Sequence, residues 1–558
     1  MKRDAPLTTR RRLLGAAAWA SLAGVAPLAG CSGAGGAGRV IDGGFAGVAF
    51  ERGHRLRDPA NLAAPAAPAR TRRVQVLIAG GGVAGLAAAR ALRQRGIEDF
   101  ALLELEDTPG GNSRGLQLAG LPCPMGAHYL PVPGPAAFEV QDWLEELGLR
   151  RRVAGRWVYD ERTLCHSPQE RLFFQDAWQD GLLPLQGVDA GTLAQYRRFG
   201  ARIEALRREA RFALPAARSS GSAVHLALDA ETFDAWLARE GFDAPHLRWY
   251  LDYCCRDDFG AGSATVSAWA GVHYFASRHG FHAAQDAPAA DESEGVLTWP
   301  EGNGWLAQRL AEPLGDRLQL GRVVQRIESG RHAVEVDAWD AHSGTLERWT
   351  AAHCIVALPS FVAARVVAQP PDWLRAAARA LPHASWVVVN VALDAPLHDR
   401  PGAAPSWDNV VYGSPALGYV DAGHQRLSPA PAPTVLTWYH ALGTGPAVRA
   451  HLFQTPWTHW RDALLADLAG PHPDLPLRAQ RMAVTRHGHA MVVPAPGVLA
   501  FLRRMPASNG ASMLSKKESR GWLAPPRAGR LSFAHADWSG YSVFEEAFTR
   551  GHGAGALA

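Results

Sequence analysis

The densest chemistry in this sequence is a glycine-rich turn. Gly80, Gly82 and Gly85 stand at the spacing GxGxxG, and Glu104 follows 24 residues after the first of them. Such a turn suits the pyrophosphate of a dinucleotide. Gly80 makes the tight bend, Gly82 keeps a side chain out of the phosphate path, and Gly85 lets helix and strand pack closely. The amides of Val83 and Ala84 then open a helix whose positive end faces the charge. Glu104 is spaced to accept hydrogen bonds from ribose hydroxyls.

The flanking elements must hold these groups in place. "VQVLIAG" (residues 74–80) reads as a buried strand, Val83, Leu86, Ala87 and Leu92 recur at helical spacing up to Gly96, and "FALLE" (residues 100–104) reads as a second strand. Together they make one βαβ unit. An earlier match to the same spacing, "GAGGAG" (residues 33–38), has no strand before it and no helix after it, so it is read as linker.

From Glu104 the chain continues as "LELEDTPGGNSRG", which contains Leu105, the doublet Gly110-Gly111 and Asn112. This continuation resembles that of the FAD-dependent amine oxidase and phytoene desaturase superfamily, and the resemblance implies FAD rather than NAD. "PMGAHYL" (residues 124–130) resembles the segment that passes beside the isoalloxazine ring, which implies contacts from Gly126 and Ala127 and places His128 close to the flavin. "PEGNGWLAQRLAE" (residues 300–312) resembles a glycine-rich helix start, and "VVQRI" with "CIVALP" resembles strands reaching the adenine, with Val324 as a backbone contact. "RLSFAHADWSGYSVFEEAFTRG" (residues 530–551) resembles the closing flavin motif, in which Asp537 takes the acidic position and Val543 and Phe544 open a helix facing the pyrimidine. Two positions depart from the pattern: His535 and Glu546 stand where glycines are usual.

The resemblance implies an α/β fold. A Rossmann-type FAD-binding domain of the GR2 kind would carry a discontinuous, mixed α+β substrate domain. It also implies an enzyme that takes a hydride from a substrate C–H bond onto flavin N5. The substrate would be a small molecule, an amine or a saturated or unsaturated organic compound, with oxygen or a quinone as acceptor. Tyr541, in "WSGY", resembles one wall of an aromatic cage and is expected to face substrate. Asn409, Trp438 and Tyr439 are further candidates, each with a sheet-packing role as an equal alternative, and His128 either relays protons or satisfies a core hydrogen bond. Many family members carry a lysine beneath the flavin, but here Trp386 falls near that position and the only lysines are Lys2, Lys516 and Lys517. That leaves open a desaturase or dehydrogenase acting on a C–C bond. A non-catalytic flavin-bearing envelope lipoprotein is also open, while an NAD(P)H-dependent reductase lacks a second nucleotide fingerprint.

The patterning divides the chain into 1–31 leader, 32–72 flexible linker, 73–135 first FAD segment, 136–300 mainly helical substrate region, 301–360 second FAD segment, 361–525 second substrate segment and 526–558 closing FAD motif. The formal charge of +4 is matched by the leader, so the remainder is near neutral and has no basic stripe for nucleic acid. The other cysteines, Cys123, Cys165, Cys254, Cys255 and Cys354, show neither a disulfide framework nor a metal-ligand spacing. "TRRRLLG" (residues 9–15) resembles a twin-arginine export motif and "LAGC" (residues 28–31) a bacterial lipoprotein box. These imply passage through the twin-arginine translocase and a periplasmic protein held to the membrane by lipid on Cys31. Replacing Arg10 and Arg11 by lysine should therefore stop export, and Cys31→Ser should release exported protein from the membrane fraction. Retention of the Cys31 variant on membranes in cell fractionation would refute the anchor.

Overall fold

Backbone pairing assigns the βαβ unit to the centre of an eight-stranded sheet. In this computed structural model the described residues are 40–62, 67–165, 169–278, 280–283, 295–426, 430–505 and 524–558. The leader, Cys31 and the glycine run 33–38 lie outside them. Strand Arg70–Ala79 pairs in parallel with Phe100–Leu103 on one side and Thr345–Val356 on the other. An antiparallel meander of Arg322–Ser329, Val334–Asp340 and Thr345–Val356 extends the sheet, and Leu531–Phe533 joins it from the far end of the chain. Helix Val83–Gln94 follows the first strand directly and buries its apolar side from Val83 to Leu92. This is the doubly wound arrangement in which ligands bind at the carboxyl ends of the strands.

A second eight-stranded sheet runs Asp42–Phe45, Ala479–Val492, His383–Leu393, Thr434–Thr444, Tyr419–Asp421, Asp408–Val411, Glu170–Phe174, Ala177–Asp180 in spatial order. The two faces of its long strands go to different cores. Trp386, Val388, Tyr439 and Ala441 pack against a helical layer built from Ala190–Glu209, Pro245–Phe259 and Ala268–Ala276. Val387, Val389, Val391 and Trp438 pack on the other side against Trp457–Asp467. No helix among the described residues is long and apolar enough to cross a membrane.

Two sequence expectations are corrected here. The linker assigned to 32–72 is structured over much of its described part: Asp42–Phe45 pairs in parallel with residues 481–484, and Leu56 is buried among Leu103, Val324 and Val356. Its glycines and alanines concealed an edge strand, which is held by pairing with Ala479–Val492 rather than by its own composition. Region 136–300, mainly helical, also contributes Glu170–Phe174 and Ala177–Asp180 to the second sheet. Helices Ser360–Val366 and Asp372–Ala380, assigned to the substrate segment, bury Val366, Leu374 and Ala377 in the core that also holds Val356 and Phe533 of the nucleotide sheet.

The last helix, Phe544–Ala556, lies directly on Val83–Gln94. A β-carbon on Gly551 would sit 1.9 Å from the carbonyl oxygen of Ala84, and one on Gly555 would sit 2.4 Å from that of Ala88. Only glycine allows this approach. Gly551→Val should destabilise the protein by about 3 kcal/mol through overpacking against backbone that cannot move aside. A melting temperature equal to wild type would show that the helix contact is not tight.

Candidate active site

The phosphate cradle forms where the head of helix Val83–Gln94 meets the Gly110-Gly111 turn. Gly80 and Gly110 have φ values of +104° and +122°, a region that disfavours side chains. Gly81 O accepts from Gly110 N at 2.8 Å, which brings Gly82 and Gly111 face to face. A β-carbon on Gly82 would meet nothing closer than the Cα of Gly111 at 4.0 Å, so the space before the helix is open. The helix has no side-chain cap, and its first-turn amides point into that space.

Glu104 is held beside the cradle. Gly81 N donates to its Oε2 at 2.7 Å and Glu106 N to its Oε1 at 2.8 Å, leaving each oxygen a further lone pair. Burial raises its pKa, opposed by these two amides and by Arg114. Leu105 follows at the strand end, and Val324 is buried on the meander strand at a β-bulge. Asn112 donates to Ala490 O, and Ala127 N donates to Asn112 O at 2.9 Å, which ties Gly126 and Ala127 to the same turn. An extended diphosphate flanked by two hydroxyl-bearing sugars fits these donors and acceptors.

Asp537 has no exposed surface. Its carboxylate accepts from Ser360 N at 2.8 Å and faces His383 Nε2 at 3.1 Å and His535 Nδ1 at 3.0 Å. Burial alone would raise its pKa, but the two histidines outweigh that and hold it well below the usual range. The glycine replaced by His535 is not missed, because its φ of −162° is ordinary extended backbone. Glu546 also does not fill the cofactor space: its carboxylate turns toward the helical layer and accepts from Ala216 N. Val543 caps the closing helix and Phe544 begins it.

The proposed substrate-facing residues divide according to the face of the sheet each occupies. His128 stacks on Tyr439, with ring centroids 4.3 Å apart, and lies 5.5 Å from Trp407. Burial lowers His128 to about 4, which keeps it neutral near pH 7. Trp386 stands 6.4 Å from Tyr439 on the same face. Trp438 points the opposite way, with Nε1 donating to Asp467 at 2.8 Å, and Asn409 is buried with Oδ1 accepting from Arg171 Nε at 2.6 Å. Trp438 lies on the face of the sheet opposite Tyr439, because side chains alternate along a strand, and Asn409 is committed to Arg171.

Tyr541 is corrected as well. It is fully buried, its hydroxyl donates to Asp258, and that hydroxyl also accepts from Arg278 Nη2 at 2.8 Å. Arg278 also forks onto Asp258, at 2.9 and 3.2 Å. The tyrosine thus completes a buried ion pair and presents no face to a substrate.

Sequence reasoning missed an acidic cluster. Glu170 and Asp408 are partners in the parallel pairing of their strands, so both side chains leave the same face of the sheet. Asp257, from helix Pro245–Phe259, adds a third carboxyl close enough to couple to both. Burial and then Asp258 push Asp257 up to about 7, burial pushes Glu170 up to about 7, and burial with Asp257 raises Asp408 well above its ordinary value. All three are only half-buried. The signal available in the sequence was "CCRDDFG" (residues 254–260), two adjacent acids following two buried cysteines.

A two-layer nucleotide domain with a glycine cradle, an acid at the second strand and a buried aspartate at its closing motif defines the class of FAD-dependent oxidoreductases. Within that class, the family model for flavin-containing amine oxidoreductase matches residues 83–439, and the chain belongs to this family. Its cofactor is FAD. No protein of curated function matches the chain by sequence. Among solved structures it is similar to a putrescine oxidase bound to putrescine, at 17% identity and TM-score 0.62 over 87% of this chain and 99% of that one. It is also similar to a cyclohexylamine oxidase from Brevibacterium oxydans, at 18% identity and TM-score 0.60 over 87% and 98%. A fatty acid isomerase from P. acnes that produces CLA shares 15% identity at TM-score 0.56 over 87% and 97%.

Tyr541→Phe should leave the Asp258–Arg278 pair buried and without the two hydrogen bonds that the hydroxyl makes to it. The expected loss is about 1–3 kcal/mol of stability, read as a lower melting temperature with flavin content unchanged. An unaltered melting temperature with a large fall in turnover would return Tyr541 to the substrate.

Proposed function

We propose that this chain is an exported oxidase or dehydrogenase of amines, acting on a substrate that carries positive charge. One observation carries the reading: Asp257, Asp408 and Glu170 come together beside Tyr439, on which His128 stacks. Arg278 is already paired with Asp258, so Asp257, Asp408 and Glu170, once ionised, add negative charge that would repel a carboxylate and attract an ammonium. A neutral hydrocarbon would leave these groups without partners, at a cost. The leader, with its arginine pair and Cys31, supports export and lipid attachment.

Bound FAD supplies a hydride acceptor. The protein supplies the rest. The stacked ring faces of His128 and Tyr439 offer an apolar wall that also favours a cation. Asp408 and Glu170, side by side on adjacent strands, hold the charged nitrogen. Asp257, near 7, is suited to take a proton from an ammonium close to neutral pH. The helical layer over the sheet keeps water out. Trp386 has no titratable group, so proton handling falls to the acids.

Asp408→Asn preserves volume and removes charge. It should raise KM for a cationic amine about tenfold or more, with kcat changed less, since an ion pair in a buried site contributes on that scale. The pH dependence follows from the raised carboxyls. Below about 7 Asp257 and Glu170 are protonated and bind a cation poorly, so kcat/KM should rise as pH rises through about 7. Stability runs the opposite way. Groups whose folded pKa is raised stabilise at low pH and lose that contribution as pH passes the folded value, so the amine-free protein should melt lower at pH 8 than at pH 5. Failure of every amine in a panel to bleach the flavin anaerobically, with bleaching by an uncharged substrate, would overturn the proposal.

A further inference from the structure

Tryptophan and arginine meet on a hairpin that the rest of the fold leaves bare. Arg150–Val153 and Arg156–Tyr159 pair only with each other, closed by a two-residue turn in which Ala154 and Gly155 have φ values of +48° and +82°. A two-stranded ribbon on its own is marginally stable in water, so its root must hold it. Tyr159 is buried in the core that also holds Trp143, Leu144 and Leu149, and Arg150 is buried with Nη1 donating to Glu145 at 2.6 Å.

Beyond that root the ribbon stands in solvent. Every residue from 151 to 157 is exposed, so both of its faces are open. The register sets Arg152 across from Trp157 and Val153 across from Arg156. Trp157 is 43% exposed and Val153 45%, although the guanidinium groups of Arg150 and Arg152 lie 3.8 and 5.9 Å from the centre of the indole. The charge is one-sided. Residues 151–157 include Arg151, Arg152 and Arg156 and no acid, and none of these arginines forms an ion pair among the described residues. Arg152 donates to Gly155 O within the turn, at 3.4 Å. The acids at the root, Glu145 and Asp160, are taken by Arg150 and Arg162, and Glu161 lies outside the ribbon.

Such a tip fits a surface that is anionic outside and apolar just beneath. An indole ring favours the boundary between lipid headgroups and acyl chains, arginine stems lie along an apolar layer while their heads stay wet, and anionic lipid attracts basic residues held close to it. A folded acidic partner would need a pocket shaped to Trp157 and Val153. A lipid surface needs none, because its chains move aside for them.

We propose that the hairpin 150–159 is a membrane-docking tip, which sets Trp157, Val153 and three arginines against anionic phospholipid and so fixes how the enzyme faces the bilayer. The proposal takes its setting from the lipid attachment proposed above. A chain already held at a bilayer makes its second contact intramolecularly, so a weak affinity is enough. The hairpin alone does not hold protein through a membrane wash, so fractionation of the Cys31→Ser variant still reports on the anchor by itself.

The test uses the chain from Ser32 onward, which keeps every described residue and lacks both the leader and Cys31, so that lipid attachment and hairpin can fail separately. It is sedimented with vesicles of phosphatidylglycerol mixed with phosphatidylcholine, and with vesicles of phosphatidylcholine alone. Binding is expected to the mixed vesicles and not to the neutral ones, and it should fall as salt is raised. Arg152→Glu combined with Arg156→Glu should weaken it by about tenfold or more, with melting temperature and flavin content unchanged. Trp157→Ala should weaken it as well. Arg331→Glu, the same charge change on the exposed turn between Arg322–Ser329 and Val334–Asp340, should bind as the unmutated chain does. No binding to the mixed vesicles, equal binding to the neutral ones, or a loss in Arg331→Glu matching that of the double variant would overturn the docking tip.

Discussion

Backbone pressed against backbone at the head of helix Val83–Gln94 is the constraint on which the other features depend. A β-carbon on Gly85 would lie 1.9 Å from Gly80 O, and one on Gly80 would lie 2.4 Å from Ala357 O. Gly551 and Gly555 make the same approach from the last helix. Three parts of the chain, the first strand, the crossover strand and the C-terminal helix, are held to one helix end by contacts no side chain could occupy. Because the contact is main chain to main chain, its geometry is stiff. The first-turn amides and Asp537 are consequently aimed at one small volume.

Around that volume the charges segregate. Asp537 faces two histidines and an amide and stays ionised, whereas Asp257 and Asp408 face other carboxyls and are pushed upward. The same side chain is driven in opposite directions by its neighbours. Glu170, Asp257 and Asp408 come together where helix Pro245–Phe259 meets the second sheet.

Departures from the family pattern are absorbed locally. His535 adopts a backbone conformation that glycine is not needed for, and its ring supports the neighbouring aspartate. Glu546 turns away from the cofactor to cap the amide of Ala216. Trp386 replaces a titratable side chain with an aromatic one on the face that Tyr439 shares. Each substitution is visible in the sequence, but its harmlessness is not. That depends on which way a side chain leaves a helix or strand whose neighbours come from elsewhere in the chain.

The sequence by itself determined the nucleotide half of the protein, because everything needed there is local: a buried strand, glycines at a fixed spacing, an amphipathic helix and an acid at the next strand end. It also marked the long apolar strands His383–Leu393 and Thr434–Thr444. It did not mark Ala479–Val492, whose arginines, histidines and Gly488 conceal a strand buried between two others, nor the edge strand Asp42–Phe45, whose surrounding glycines and alanines read as linker. The site for substrate was decided only by tertiary structure. Glu170 faces Asp408 through a parallel pairing of distant segments, and a shift of one residue would have turned Arg171 and Asn409 inward instead. Tyr541 was expected beside the flavin from its motif, but its hydroxyl is committed to Asp258 and Arg278, which lie in distant parts of the chain and which no spacing within its own motif could reveal.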